Sequence, residues 1–332
     1  MIATQSEIAR QLGISQATVS MALRGTGKMA EETRSRIQRE AIKLGYRHNN
    51  SAQAIRTGRF GCISLLLSMR YQHSYLPYEL IPGIVAEARE QQTQLSLIGS
   101  PDQELINEEF IHEALRRWSS DGLLINYTHN FPLRMVDLIR DYRVPSVWMN
   151  AKLEVDSVYP DDIEAAAQST RRLIEMGHRR IGYVDLTRNQ HYSGQDRYDG
   201  YAETMLAQDL PLNPLTRLVP RPDRYPIVKK WLESSNRPSA VITYRDHEAY
   251  AIFSAAMELH IRVPQDLSII AIHDFPADTV GVAFSTMKND FAAVGAGAVK
   301  MLMQKIQKPS EFIPSQKIAP QWLPGATTAP PA

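Results

Sequence analysis

The stretch EIARQLGISQATVSMALRG, residues 7–25, holds two short runs of helical spacing on either side of Gly13. Thr4 and Glu7 form a capping-box pattern at the start of the first run, because a hydroxyl and a carboxylate three residues apart satisfy free backbone N–H groups reciprocally. Gly13 suits the left-handed conformation that ends a helix, and Ser15 is a favoured N-cap for the next one. The stretch therefore predicts a helix, a tight turn and a second helix.

The second predicted helix has two distinct faces. At about 100° per residue, Val19, Ala22 and Leu23 fall on one arc, which predicts a core-facing side. The opposite arc mixes an amide, small side chains and long ones: Gln16, Ala17, Ser20, Met21 and Arg24. In a DNA major groove an amide can bond adenine at two points, and a methyl or thioether group can contact a thymine methyl. A solvated face of an ordinary helical hairpin is the other interpretation of this spacing.

A third helical run and a strong local charge tip the balance toward DNA binding. The run EETRSRIQREAIKLGY at 31–46 places Thr33, Ile37, Ala41 and Leu44 on one face. Residues 1–60 contain ten Lys or Arg and four Glu, so this segment carries +6, and the rest of the chain carries −5 to give the overall +1. Such asymmetry favours a polyanionic partner for the segment. Three short helices around a small core are typical of a DNA-reading head.

About 270 residues follow the head, which is enough for two modest α/β domains. Strand-like runs such as GCISLLL (61–67), GLLIN (122–126) and AVITY (240–244) alternate with runs of helical spacing. This alternation predicts two doubly wound parallel sheets. Ligands bind such sheets at the carboxyl ends of the strands, so a ligand crevice is expected there.

Several classes of protein are disfavoured by composition and motifs. No apolar run approaches the roughly 20 residues of a membrane-spanning helix, and the N-terminus lacks the pattern of a secretory signal. The single cysteine, Cys62, lies in an apolar run where an inert thiol is expected. The nine histidines show no metal-ligand spacing, so neither a metal nor a cofactor is predicted. We expect a cytoplasmic protein with no membrane partner, which is nucleoid-associated when it binds DNA.

The ordered motifs of the chain resemble the LacI/GalR family of bacterial transcription regulators. The matching segments cover nearly the whole chain: EIARQLGISQATVSMAL, MAEETRSRIQREAIKLGY, NNSAQAIRTGRFGCISLLL, DGLLINY, LIEMGHRRIGYV, RYDGYAETM and RVPQDLSIIAIHDFP. The resemblance implies a homodimeric repressor, here of a carbohydrate or sugar-acid catabolic operon, bound to a pseudo-palindromic double-stranded operator. A small-molecule effector would bind between two lobes and reposition the hinge helices.

The resemblance also divides the chain into domains. It implies an all-α helix-turn-helix head and an α/β two-lobe core of the periplasmic-binding-protein-like type. The predicted bounds are 1–46 for the head, 47–58 for the hinge and 59–332 for the effector-binding and dimerisation core. Within the core, one lobe comprises about 59–158 and 288–316, the other comprises about 159–287 and 317–327, and 328–332 form a disordered tail.

Seven residues of the head and hinge are expected at the DNA: Gln16, Ala17, Thr18, Ser20, Met21, Arg24 and Ile55. Thr18 and Ser20 are interpreted as hydroxyls that position phosphates, although Thr18 could instead serve as a cap or at the core edge. The resemblance places Ile55 at the position of a hinge-helix residue that wedges into the minor groove; a disordered tether is the other interpretation of the hinge. Met21 stands where relatives often carry Arg or His, so apolar contact would replace a hydrogen bond to guanine.

Eight residues are expected at the effector: Tyr75, Tyr78, Asn150, Arg197, Arg245, Asp246, His273 and Asp274. The resemblance gives Arg197 a position that commonly grips the ligand, and it places Arg245 and His273 where a neutral residue and an acid are usual. Guanidinium groups suit carboxylates and phosphates. The predicted effector therefore carries an anionic group, with a sugar acid as the first choice. An Arg paired internally with Asp246 or Asp274, or simple packing of Tyr75, Tyr78 and Asn150, would explain the same residues without an anion.

Two other classes of function share some of these features. A periplasmic-type small-molecule binding protein without DNA function would have the two-lobe fold, but it has no use for a basic helical head. An enzyme would need a phosphate loop or a nucleophile with its base. The segment GAGAVK (295–300) lacks the third glycine and the strand-turn-helix context of a phosphate loop, and no nucleophile–base pair stands out. The sequence therefore favours a DNA-binding regulator that is not an enzyme.

Overall fold

The computed structural model describes residues 3–23, 25–46, 58–70, 73–128, 131–187, 191–273 and 281–332. The chain divides into two compact units, Met1–Phe60 and Gly61–Ala332. The predictions for Arg24, Ile55 and Asp274 lie outside the described residues.

The first unit contains three helices, α1 (Gln5–Leu12), α2 (Gln16–Leu23) and α3 (Glu31–Lys43). The predicted capping box is confirmed, because the Glu7 N–H donates to Thr4 Oγ1 at 3.3 Å and the Glu7 carboxylate accepts from the Thr4 N–H. Gly13 ends α1 in the left-handed conformation with φ 66°. The local signals in the sequence therefore fix the start and end of α1.

A small apolar core holds the three helices together. Its buried members are Ile8, Ala9, Val19, Ala22, Ile37 and Ala41. At its edge, Gln5 Nε2 donates to the hydroxyl of Tyr46 at 2.9 Å, which ties the start of α1 to the segment after α3. The predicted core faces of α2 and α3 are thereby confirmed.

The second unit contains two sheets, each with its own helices. The first sheet consists of β1 (Cys62–Ser68), β2 (Gln94–Ser100), β3 (Leu123–Asn126), β4 (Ser146–Met149), β5 (Ser157–Pro160) and β11 (Gln316–Ile318). Its order is β2-β1-β3-β4-β5-β11 and all pairs are parallel. The helices of this first lobe are α4 (Leu80–Glu90), α5 (Glu108–Arg117), α6 (Leu133–Asp141) and α11 (Phe291–Gln307). Helices α4 and α11 cover one face of the sheet, while α5 and α6 cover the other.

The second lobe repeats this arrangement. Its sheet consists of β6 (Ile181–Asp185), β7 (Asn213–Thr216), β8 (Ala240–Thr243), β9 (Ser268–His273), β10 (Ser285–Lys288) and β12 (Gln321–Leu323). The order is β7-β6-β8-β9-β10-β12, and only the β10–β12 pair is antiparallel. Helices α7 (Asp162–Glu175) and α8 (Tyr192–Leu206) cover one face, and α9 (Arg221–Leu232) and α10 (Asp246–Glu258) cover the other.

The strand orders locate the ligand crevice. In each sheet the order reverses beside the first strand, between β1 and β3 in one lobe and between β6 and β8 in the other. Ligands of doubly wound sheets bind outside the carboxyl ends of the strands at such a reversal. The predicted doubly wound architecture is confirmed, and the residues that follow these strands form the candidate effector site.

The C-terminal segment docks on the second lobe, so the prediction of a disordered tail at 328–332 is wrong for the start of that tail. Thr327 is fully buried and its Oγ1 donates to the carbonyl of Ile269 at 2.7 Å. The carbonyl of Ala329 lies 2.9 Å from Nε2 of His178. A composition rich in Pro, Thr and Ala predicts disorder only where no surface offers hydrogen-bond partners, and the second lobe offers several.

Candidate functional site

The outward face of α2 presents the candidate base-reading side chains. Gln16 and Ala17 are exposed, and Met21 is 37% exposed. Gln16 Oε1 accepts a hydrogen bond from Ser6 Oγ at 3.0 Å, which orients the amide at the start of the helix. These three residues share the solvent side of α2, as the spacing predicts.

Ser20 does not share that side, so its predicted outward position is wrong in this structure, while its contact with phosphate remains a prediction. Its residue surface is only 7% exposed. Residues 16, 17 and 21 of the same helix are exposed, so the burial of Ser20 marks the edge of the outward face of α2. Thr18 is half-buried, and its Oγ1 lies 2.8 Å from Ser15 Oγ, whose oxygen also accepts from the Thr18 N–H at 3.1 Å. The hydroxyl of Thr18 therefore belongs to the cap of α2, and its contact with phosphate remains a prediction.

The loop after α2 sets the position of Met21. Gly27 has a φ of 80°, and a Cβ built on it would lie 3.1 Å from Met21 Sδ. The thioether thus packs close to the backbone of this loop at Gly27, whose positive φ favours glycine. Met21 is consequently held on the exposed face of α2 rather than extending freely into solvent.

In the first lobe, a carboxylate that the sequence analysis missed organises the strand ends. Asp102 follows β2, and its oxygens accept from Ser68 Oγ at 2.7 Å and from the hydroxyl of Tyr127, with His73 Nδ1 at 3.1 Å. Burial opposes ionisation, but the hydrogen bonds from Tyr127, Ser68 and His73 lower the pKa of Asp102 below its usual value. The available signal was the stretch SPD (100–102), which begins at the last residue of the strand.

The two predicted tyrosines occupy different environments. The Tyr75 N–H donates to Thr128 Oγ1 at 3.3 Å, and its carbonyl accepts from Asn126 Nδ2 at 2.8 Å. These contacts fix Tyr75 beside the end of β3, at the reversal of strand order, with 41% of its surface exposed. Tyr78 lies just before α4 and is 73% exposed. Of the two, Tyr75 is the one that the structure places at the carboxyl ends of the strands.

In the second lobe, Arg197 is buried and already paired. Its Nε donates to Asp162 Oδ1 at 2.7 Å, and its Nη1 donates to the carbonyl of Tyr244. Burial alone would lower the pKa of Arg197, but the nearby Asp162 carboxylate raises it above the usual value. Asp162 begins α7 directly after β5, and the sequence analysis did not predict that strand.

The guanidinium groups of Arg245 and Arg197 lie against the same aromatic ring. The guanidinium carbons of Arg197 and Arg245 lie 4.7 and 4.9 Å from the centroid of the Tyr244 ring. Within the described ranges, Arg245 forms no ion pair with a carboxylate, whereas Arg197 does. Two guanidinium groups therefore share one ring; Asp162 forms an ion pair with Arg197, whereas the charge of Arg245 is opposed by the buried Glu248 carboxyl, with which it forms no ion pair.

Asp246 joins two histidines. Its Oδ1 lies 2.9 Å from Nε2 of His273 and 2.9 Å from Nδ1 of His247. Burial raises the pKa of Asp246, yet the hydrogen bonds from His247 and His273 hold it well below its usual range. The hydrogen bond between Asp246 and His247 in turn raises the pKa of His247 above its usual value.

These contacts correct one part of the sequence analysis. Arg197, Arg245 and His273 were expected to bring unpaired positive charge into the crevice, but Arg197 pairs with Asp162 and His273 pairs with Asp246. Buried charges require nearby counter-charges, and the spacing of motifs could not show which acid would supply them. Of the three, only Arg245 forms no ion pair with a carboxylate of the described residues, although the buried Glu248 carboxyl interacts with its charge.

Asn150 and its neighbours connect the two lobes. The carbonyl of Asn150 lies 2.9 Å from His191 Nε2, and its Oδ1 accepts from the hydroxyl of Tyr192 at 3.3 Å. Lys152 Nζ forms an ion pair with Asp196 Oδ1 at 2.7 Å. Asn150 is therefore placed where a change in the angle between the lobes alters its contacts.

Comparison with known proteins places this geometry in a family. Residues 4–49 match the sequence profile described as bacterial regulatory proteins, lacI family, and residues 170–328 match the profile of the periplasmic binding protein-like domain. The chain belongs to the LacI family. This LacI-family member is accordingly a DNA-binding transcriptional repressor rather than an enzyme.

The similarity of this LacI-family member to known proteins covers almost its whole chain. It is 26% identical over 327 residues to the ribose operon repressor of Haemophilus influenzae, covering 93% of this chain and 94% of that protein. It is 27% identical over 318 residues to the repressor PurR of Yersinia pestis, covering 92% and 91% of the two chains. The fold matches that of the lac repressor dimer bound to operator and the anti-inducer ONPF, with a TM-score of 0.78, 18% identity and coverage of 99% and 100%.

Two negative findings apply to the part of this LacI-family chain that the structure describes. No helix there combines the length and the apolar character needed to cross a bilayer. No cluster of three or more His, Cys, Asp or Glu side chains in the same ranges could hold a metal ion.

Proposed function

We propose that this LacI-family repressor acts as a dimer on a pseudo-palindromic operator, in the cytoplasm and at the nucleoid, and controls an operon for carbohydrate or sugar-acid catabolism. A small molecule with an anionic group binds between the two lobes and repositions the hinge helices. The observation that carries the effector assignment is the arrangement of Arg197 and Arg245 on the ring of Tyr244, with Asp162 as the counter-charge of only one of them.

The charges in the crevice favour an acid over a neutral sugar. Arg245 forms no ion pair with a carboxylate of the described residues, and burial of the nearby Glu248 carboxyl favours its neutral form. A carboxylate on the ligand would offset the cost of removing the Arg245 guanidinium from water. Asp246 and Asn150 offer oxygen atoms that accept hydrogen bonds from ligand hydroxyl groups. A sugar acid combines both kinds of group in one small molecule.

An exposed apolar edge of the first lobe supports the dimer. β2 is the edge strand of its sheet and carries Leu97, which is 62% exposed. Met69, which follows β1, is 69% exposed and lies beside Gly99 of β2: a Cβ built on Gly99 would be 3.6 Å from Met69 Cγ. Val85 on α4 is 49% exposed. An exposed edge strand can pair with another chain, and exposed apolar patches mark surfaces that bind other proteins; a second copy of this protein would cover this one.

Calorimetric titration with matched sugars tests the effector. We expect D-gluconate or D-glucuronate to bind more tightly than D-glucose, and Arg245→Gln to weaken binding of the acid at least tenfold. Arg221→Gln, an exposed arginine on α9, is the matched control and should change nothing. The related ribose operon repressor and a neighbouring structure with bound ribose make D-ribose the neutral competitor to test. Tight binding of ribose that Arg245→Gln leaves unchanged would overturn the anionic assignment.

Truncation tests whether the head binds the operator while the core forms the dimer and binds the effector. A chain lacking residues 1–58 should remain dimeric in sedimentation experiments and still bind the effector, but it should lose operator binding. The full chain should lose operator affinity steeply as salt rises, because phosphate contacts release counterions. Operator binding by the truncated chain would contradict the assignment.

A further inference from the structure

The first lobe contains a cavity at the opposite end of the sheet from the effector crevice. It has a volume of about 430 Å³ and lies against Ser146, where β4 begins, and Asp156, which precedes β5. The effector crevice lies instead at the carboxyl ends of the strands. This cavity is therefore separate from the site proposed above, and its size is in the range of small-molecule sites.

One wall of the cavity is an exposed aromatic ring in a fixed position. Phe312 lines the cavity and is 54% exposed. The next residue is anchored, because the Ile313 N–H donates to Asp156 Oδ1 at 3.0 Å; the preceding residue is anchored by Lys305 Nζ, which donates to the Glu311 carbonyl at 2.6 Å. The backbone on both sides of Phe312 is therefore held, and Lys305 Nζ lies 5.3 Å from the centroid of its ring. The exposed part of the ring offers a surface on which a second aromatic group can pack.

The charged lining has a surplus of positive groups. Lys305 is buried, and its ammonium donates to Asp156 Oδ2 at 2.8 Å and to the Glu311 carbonyl. An ammonium has three donors, and the described hydrogen bonds use two of them. The acids in the lining are Asp156, which this lysine already engages, and the exposed Glu154.

Two arginines complete the positive rim. Arg140 lies in the last turn of α6, Arg143 lies two residues after that helix, and both line the same cavity. The guanidinium carbon of Arg140 lies 6.0 Å from the centroid of the Phe312 ring. Neither arginine forms an ion pair with any carboxylate of the residues that the structure describes.

We propose that this cavity is a second small-molecule site, which binds an aromatic carboxylate. The ring of the ligand packs against Phe312 and the buried Trp148, both of which line the cavity. Its carboxylate lies among Lys305, Arg140 and Arg143, where charge-assisted hydrogen bonds are available. A neutral aromatic molecule would leave these donors without a partner, and an aliphatic acid would leave Phe312 uncovered.

Calorimetric titration of the full chain with 1-naphthoate tests the site, with 1-naphthalenemethanol as the neutral analogue. We expect naphthoate to bind at least tenfold more tightly than the alcohol. The double variant Arg140→Gln/Arg143→Gln and the variant Phe312→Ser should each weaken naphthoate binding at least tenfold. All three positions are exposed, and unchanged melting temperatures would establish that the variants fold.

Two control variants make the test specific. Arg134→Gln changes an exposed arginine on the same helix that faces Glu108 at 3.8 Å and does not line the cavity, so it should leave binding unchanged. Arg245→Gln alters the effector crevice and should also leave naphthoate binding unchanged, even if the anionic effector itself proves wrong. Absence of naphthoate binding, equal binding of the alcohol, or loss of binding in Arg245→Gln would each overturn the second site.

Discussion

Arg197 and Asp162 form a buried ion pair, with Nε of the arginine 2.7 Å from Oδ1 of the carboxylate. Asn289 Nδ2 donates to the same oxygen at 3.1 Å. One carboxylate thus ties the start of α7 to α8 and to the segment between β10 and α11. The contact joins two of the places where the chain passes between the lobes.

We predict a large loss of stability when this carboxylate is removed. Asp162→Ala leaves a buried guanidinium without its counter-charge, which should cost about 3–5 kcal/mol in the free energy of unfolding. Glu164→Ala, on the same helix, removes the partner of the half-exposed Arg171 and should cost about 1 kcal/mol or less. Urea titration followed by tryptophan fluorescence measures both variants. An equal decrease in the free energy of unfolding of the two variants would show that the buried ion pair stabilises the fold no more than the exposed one.

Glu248 should make stability depend on pH. It lies on the first turn of α10, is 1% exposed, and neither of its carboxylate oxygens has a hydrogen-bond partner in the described part of the chain. Burial raises the pKa of Glu248 to about 7, although the charge of Arg245 opposes this. The folded state therefore holds a proton that the unfolded state releases near its ordinary value of 4.5, so the free energy of unfolding falls as pH rises from about 4.5 to about 7.

Glu248→Gln removes this titration. The variant should gain about 2–3 kcal/mol relative to the parent chain at pH 8, and the gain should disappear near pH 5. Chemical unfolding at the two pH values measures the difference, and the exposed Glu203→Gln serves as the control. A stability difference that is the same at both pH values would contradict the assignment.

The exposed face of α2 should determine base preference. Gln16→Ala should reduce discrimination at one base pair of each half-site by about 1–3 kcal/mol. Met21→Arg should shift the preference at the position it faces toward guanine, since a guanidinium can bond guanine at two points. Selection of binding sites from a random library measures both effects, with the exposed Gln38→Ala on α3 as the control. An unchanged selected motif for Met21→Arg would show that this side chain does not reach a base.

The docked C-terminal segment should contribute to the stability of the second lobe. Thr327 Oγ1 donates to the Ile269 carbonyl and accepts from the Ser285 N–H at 2.9 Å. Thr327→Val keeps the shape but leaves both backbone groups without their partner, which should cost about 1–3 kcal/mol. Thermal and urea unfolding measure the loss. A chain that ends after Ala329 retains these bonds and should behave like the parent; a similar loss in both chains would contradict this role of Thr327.

Local signals in the sequence predicted the helical head and most of the core strands. Thr4, Glu7 and Gly13 carry their structural meaning within one or two turns of chain, so their caps could be inferred without knowing the fold. Long apolar runs such as 61–67 form central strands because both faces of a parallel sheet are buried. Short edge strands escaped prediction, among them NPLT at 213–216, whose proline and polar residues are tolerated only because the strand lies at an edge.

The candidate site was predicted less completely, for a different reason. Their positions in motifs identified Arg197 and Arg245. Only Arg197 forms an ion pair, however, and its partner Asp162 is 35 residues away in sequence. The cluster around Asp102 likewise combines residues from three separate segments. Such pairings follow from the packing of whole helices and strands, which spacing within one segment cannot reveal.

The order in which the lobes are completed has a consequence for synthesis of the protein. Helix α11 and strand β11 belong to the first lobe, yet they follow nearly all of the second lobe in sequence. When residues 61–160 leave the ribosome, α4 can cover part of one face of their sheet, but the part that α11 will cover stays exposed until about 150 more residues have been translated. The first lobe therefore stays incomplete until most of the second lobe has been made, and the nascent chain must keep part of an apolar sheet face from aggregating throughout that interval.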